Sequence, residues 1–166
     1  MATKRSGFTV VELLVAMTVF AVVITIATGS FIRALRTQQG TAALIAVNDN
    51  ANLTLEQMAR EIRTGQNFTS PNPQQLDFTS ALAHQITYRL DLINQAIERT
   101  DNGVARPITA SNVKVKKLSF VLIGDQLTDG RPPRVTITLT VGTDARNLQD
   151  VTATLQTTVS SRILDG

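Results

Sequence analysis

Residues 6–17 read SGFTVVELLVAM, and they set one carboxylate, Glu12, at the head of an apolar run that extends to Ile32. From Leu13 to Ile32 the twenty residues LLVAMTVFAVVITIATGSFI carry no charge. Coiled as a helix they would be roughly 30 Å long, the thickness of a bilayer's hydrocarbon layer. The stretch therefore predicts a membrane-spanning helix. A secretory signal peptide would share the basic start, Lys4 and Arg5, but its apolar region runs only about 7–15 residues and ends at small residues of the A-x-A type. This run is longer and has no such site. A plain single-span anchor is the other alternative. Lys4, Arg5 and the initiator amine on one side, against Arg33 and Arg36 beyond the other, tilt the N-terminus toward the cytoplasm by a small margin.

A carboxylate in lipid is costly, so Glu12 calls for a cation. Two sources are physically available. One is the positive end of its own helix dipole; the other is the α-amino group that a cut just before Phe8 would release. In a bundle of staggered helices, the acid of one subunit would meet the new amine of its neighbour, and both charges would cancel only on assembly. Glu12 would then act as a register device.

A short basic leader, Gly7, Phe8, Glu12 and the apolar helix together resemble a type IV prepilin. The resemblance implies cleavage between Gly7 and Phe8 by a prepilin peptidase facing the cytoplasm, N-methylation of the Phe8 amine, and guidance of the subunit into a helical filament by Glu12. The leader is then MATKRSG, residues 1–7, and the transmembrane and filament-core helix is 8–32. Implied partners are other pilins or pseudopilins through this helix, the inner-membrane assembly platform, and membrane lipid before assembly. The implied location is a single pass of the cytoplasmic membrane with the head outside, followed by a surface or periplasmic filament. Many family members have proline where this chain has Gly29, which makes Gly29 the expected point of helix unwinding. Motility pili, DNA-uptake pili and secretion pseudopili share this leader and helix.

The whole chain has a formal charge of +3, and loss of Lys4 and Arg5 with the leader lowers it to +1, so subunits would pack without strong self-repulsion. Cysteine is absent, which excludes a disulfide framework and a thiolate metal site. Many pilins close a C-terminal loop with a disulfide; this chain must hold its end by strand pairing.

Beyond the apolar run, Leu44, Val47, Ala51, Leu55, Met58 and Ile62 recur at spacings of three and four, one face of a helix. Glu56 and Arg60 stand four apart in the favourable order, and Gly65 supplies a stop, so one helix is expected from about Phe8 to Thr64, its amphipathic continuation spanning 33–64. Thr28-Gly29-Ser30 and Asn48-Asp49-Asn50-Ala51-Asn52 are the two places where it could break, the second with Thr54 and Gln57 as a fresh capping box. GQNFTSPNPQQ, residues 65–75, has the composition of a connection.

Residues 76–166 follow period two. Ile86, Tyr88 and Leu90 alternate with polar neighbours, Asn94-Gln95 turns the chain toward a strand at Ala96 to Thr100, and Asp101-Asn102-Gly103 is a strong turn. Val135, Ile137, Leu139 and Val141 alternate with threonines, and Val151 to Val159 does likewise. Val113 and Val115 keep one phase while Leu118, Phe120 and Leu122 keep the other, which places a bulge near Lys116-Lys117. The predicted fold is α+β and pilin-like: a long N-terminal helix whose outer half packs on an antiparallel β-sheet head. LEQMAREIRTGQN (55–67) and TTVSSRILDG (157–166) are similar to J-type minor pseudopilins and related minor pilins, which favours a minor subunit over the main filament protein.

The residues for an enzyme are missing. The single histidine, His84, has no cysteine or paired carboxylates at ligand spacing and is expected on the surface; no metal or cofactor is expected. Ser160-Ser161 has no G-x-S-x-G frame and is expected to be hydroxyl-lined strand. Asp125 and Asp129 flank a turn without matching a calcium loop and are expected to be solvated. Lys114, Lys116 and Lys117 form the one basic cluster of the head. No aromatic residue sits among them to stack a base, so they are assigned to guarding a sheet edge ahead of binding nucleic acid. The expected function is a minor pilin or pseudopilin subunit of a type IV pilus-like filament, the alternative being a single-pass membrane-anchored binding module.

Overall fold

The computed structural model describes residues 7–124, 132–144 and 151–162. The helix α1 runs Val10–Arg63 without a break, 54 residues through both Gly29 and the Asn48–Asn52 stretch. The helix is unbroken at both places where it could have been interrupted. The weak helix formers turn their side chains back on the helix: Thr18, Thr25, Thr37, Thr41 and Thr54 each donate a hydroxyl to a carbonyl three or four residues earlier, and Asn50 Nδ2 donates to Ala46 O. Thr54 therefore sits mid-helix, and the capping box expected from Thr54 and Gln57 does not form.

Two compact units divide the chain, 1–41 and 42–166. In the first, the apolar side chains of α1 from Val10 to Ile32 are exposed all round, and its most apolar window, of mean hydropathy 2.6, has no described residue packed on it. Its length and composition suit a membrane span. In the second unit, Val47, Ala51, Leu55, Met58 and Ile62 form a buried stripe. At roughly 1.5–3 kcal/mol for each large side chain removed from water, this stripe supplies the main hold on the helix.

The stripe packs against two antiparallel sheets where the sequence predicted one. The first is a five-stranded meander, β1 (Gln66–Asn72), β2 (Gln75–Thr79), β3 (Gln85–Asp91), β4 (Ala96–Asp101) and β5 (Val104–Pro107), in that spatial order. The second has three strands in the order β6 (Lys114–Ile123), β7 (Arg134–Gly142), β8 (Thr152–Ser160). Leu76, Phe78, Ile86, Tyr88 and Ile97 from the first sheet and Leu118, Phe120, Val135, Ile137, Leu139 and Val141 from the second share one core with α1.

Several sequence expectations hold in detail. The β6–β7 register slips between Val115 and Lys117, the predicted bulge, and Asn102 and Gly103 both have positive φ, as a tight hairpin turn requires. The connection expected at residues 65–75 is instead mostly strand β1 and the turn into β2. A strand rich in Asn, Ser and Pro survives there because it lies at the sheet edge, with an irregular register to β2 and Pro71 removing no central ladder bond. What holds it is aromatic: Phe68 stacks on Phe78 at 5.4 Å, and Phe78 on Tyr88 at 5.9 Å.

The end of α1 is fastened from the far end of the chain. Arg162 N donates to Arg63 O, and the buried Ser161 donates its hydroxyl to Gly65 O at 2.9 Å. These bonds satisfy carbonyls that a helix terminus leaves open. Ser160 ends β8, while Ser161 is this clamp, a role outside the expected strand lining. Gly65 is required by space: a Cβ there would lie 2.6 Å from Phe78 Cδ2.

Candidate functional site

The helix begins with a reciprocal pair of hydrogen bonds. Thr9 N donates to Glu12 Oε2 at 2.9 Å, and Glu12 N donates to the Thr9 hydroxyl at 3.2 Å. The hydroxyl in turn donates to Glu12 Oε2 at 2.9 Å. This is a capping box, with Thr9 as the cap and Glu12 three residues on. Of the two cation sources open to Glu12, the structure displays the positive helix end, and Glu12 Oε1 stays free among the described residues.

Gly7 and Phe8 precede the helix, and Phe8 is 90% exposed. A Cβ built on Gly7 meets nothing within 4 Å, and no left-handed φ demands glycine there. Nothing among the described residues asks for glycine at position 7. Gly29 is likewise unconstrained, in unbroken helix. Along one face of α1, Phe8, Val11, Val15, Val19 and Val23 line an open apolar strip with Glu12 beside its first turn.

Residues 2–28 match the family model of the prokaryotic N-terminal methylation motif. It is the type IV prepilin signature. Among curated proteins and among solved structures, none matches the chain. The prepilin signature and the exposed apolar helix coincide in the sequence, and the α+β head that follows fits a pilin-like architecture. The prepilin-like start also contains the pattern of this cap. T-V-V-E, residues 9–12, spells the S/T-x-x-E capping signature, and that pattern alone was enough to find it.

The structure also gathers a charged cluster that the sequence did not suggest. Glu61, from the last turns of α1, accepts the Tyr88 hydroxyl at 2.7 Å and the Arg99 Nε hydrogen at 3.0 Å. Arg99 Nη1 reaches Asp101 at 2.9 Å, and His84 Nδ1 contacts the other oxygen of Asp101 at 2.9 Å. The expected lone surface histidine is therefore half-exposed and paired. Burial and the Glu61 hydrogen bond raise the Tyr88 pKa above the ordinary phenol value. Burial disfavours the Arg99 cation, but its bonds to Glu61 and Asp101 outweigh that and raise its pKa. The Arg99 hydrogen bond holds the Asp101 carboxyl below the usual aspartate value. Through these bonds the cluster bolts α1 to β3 and β4.

Among the described residues no three His, Cys, Asp or Glu side chains converge as metal ligands. Asp125 and Asp129 lie outside the described residues. Lys114, Lys116 and Lys117 fall on β6, an edge strand, where Lys114 pairs with Asp144 at 3.2 Å. The assignment to edge protection fits that position.

Proposed function

We propose that the protein is a minor pilin or pseudopilin, a non-catalytic subunit of a type IV pilus-like filament. The observation that carries this reading is the coincidence of the methylation motif at residues 2–28 with a helix whose apolar surface is uncovered within the chain. Such a surface is stable only in lipid or against other helices of its kind. In this reading the peptidase cuts between Gly7 and Phe8, and Phe8 supplies the methylated amine. The open surroundings of Gly7 support a glycine needed by an external enzyme and not by the fold. The domain layout is a leader 1–7, the span and filament core 8–32, its continuation 33–64, and the head.

The capping box gives Glu12 two tasks. One oxygen, Oε2, closes the helix start through Thr9, and the other, Oε1, is open to the Phe8 amine of a neighbouring subunit. Cleavage before Phe8 leaves Thr9 and its cap in place. Gly29 serves as the local unwinding point on assembly, since an unfilled glycine lowers the cost of opening the helix there. The partners are the prepilin peptidase, the inner-membrane assembly platform, lipid and sister pilins, with the N-terminus cytoplasmic before extraction into the fibre.

Intact-mass measurement of the protein purified from its native host tests the reading. The expected mass is that of a chain starting at a methylated Phe8. A chain still starting at Met1 overturns it in favour of a permanent membrane anchor.

A further inference from the structure

The three-stranded sheet has two edges, and they are treated differently. On β6 two outward amides are in use: Val115 N donates to Gln95 O at 2.8 Å, and Phe120 N to Pro73 O at 2.7 Å. Three lysines and a bulge also guard the first four residues of that strand. Strand β8, TATLQTTVS, has nine residues with no charge, no proline and no register shift. Ser161 N donates to Pro133 O just past its end. Antiparallel bonding alternates every second residue, so Ala153, Leu155, Thr157 and Val159 bond to β7. The amides of Thr152, Thr154, Gln156, Thr158 and Ser160 then point away from the sheet, and no described residue bonds to them.

A cleft runs beside this free edge. Toward the start of β8 it is walled by Leu44, Val47, Val151 and Ala153, with a volume of about 370 Å³. Along the middle of β8 it is walled by Leu55, Glu56, Ala59, Arg63 and Leu155, with a volume of about 680 Å³, and the charge of Glu56 is already paired with Arg60. Ala153, Leu155 and Thr157 on the inner face are only half-buried, so the core is unfinished along this seam. The Arg63 guanidinium has no ion-pair partner among the described residues.

We propose that the outer edge of β8 receives an extended segment of a partner protein, which joins the sheet as a further antiparallel strand in the cleft between β8 and α1. Its chemistry follows from the walls. Alternate residues are apolar, to complete the surface of Leu55, Ala59 and Leu155; the strand itself is uncharged; and an acidic group precedes it, because an antiparallel strand begins beside the β8 C-terminus, where Arg63 stands. The proposal concerns the head alone and holds whether or not Phe8 becomes a filament N-terminus.

The probe is a fluorescent peptide of two glutamates followed by a copy of Val135–Val141, measured by anisotropy against the full chain in detergent micelles. Saturable binding is expected. Gln156→Pro, which removes an outward amide and no β7 bond, should weaken it at least about tenfold with little change in melting temperature. Arg63→Glu, on the helix and away from the ladder, should weaken it about fivefold, which keeps the test decisive if the proline variant misfolds. No saturable binding overturns the proposal, as does binding that neither substitution weakens. Concentration-dependent self-association abolished by Gln156→Pro also overturns it, by assigning the edge to a second copy.

Discussion

The two stretches of α1 are one helix by backbone and two different objects by surface. Between Val10 and Ile32 apolar residues surround the axis and all are exposed; between Val47 and Ile62 they form a single stripe buried by the chain's own sheets, apart from the exposed Leu53 and the half-buried Ala59. Helical hydrogen bonding is the same in both. What differs is where the water-excluding partner comes from: outside the chain for the first stretch, inside it for the second. Substitutions in the first stretch should therefore act on assembly, and those in the second on folding.

The largest effect is expected at Glu12. Glu12→Val should leave cleavage and membrane association intact but reduce recovery of the subunit in sheared filaments at least about tenfold, because the neighbour's amine is left without a counter-ion. Normal incorporation would break the charge-pair account. Met58→Ala, in the buried stripe, should cost about 2–5 kcal/mol in thermal unfolding of the head, whereas Val19→Ala should leave that transition unmoved. Equal shifts from both would erase the distinction between the stretches. Gly65→Ala should destabilise the head by about 1–3 kcal/mol, since its methyl must displace the Phe78 ring. Melting data showing no loss would mean that the helix end has room the structure denies it.

The smallest effect is electrostatic and confined to the head. Arg99 holds the folded-state pKa of Asp101 below its ordinary value of 3.8. A carboxyl so depressed contributes stability that is fully present above the unfolded value and is lost as pH falls through the folded one. The head should thus keep its melting temperature down to about pH 4 and lose it below. Asp101→Asn should shallow that acid limb; an unchanged limb would remove Asp101 from the linkage.

The candidate site was legible because its signals are local. Gly7, Phe8 and Glu12 sit within six residues, and the capping pair Thr9 and Glu12 is legible by the same logic of short spacing. The bulge at Lys116 was readable for a related reason: one extra residue between two alternating runs changes their phase. Strand β1 was not readable, because its Pro, Asn and Ser carry loop signals and its stability comes from Phe68 meeting Phe78 across the sheet. The Glu61, Arg99, Asp101 and His84 cluster was hidden for want of any spacing rule. Its members come from α1, β4 and the turn before β3.

By itself the sequence determined the long helix, its division into an all-round apolar and a one-sided part, the prepilin signature, and the alternation of the head strands. All of these are periodicities or motifs read between near neighbours. Only the tertiary structure decided that the strands split into two sheets, that Gly65 must lack a side chain, that Ser161 ties down a carbonyl 96 residues away, and that two outward amides of β6 find partners while those of β8 find none among the described residues. Those outcomes depend on which distant groups compete for the same space and the same hydrogen bonds, and that competition exists only once the core has closed.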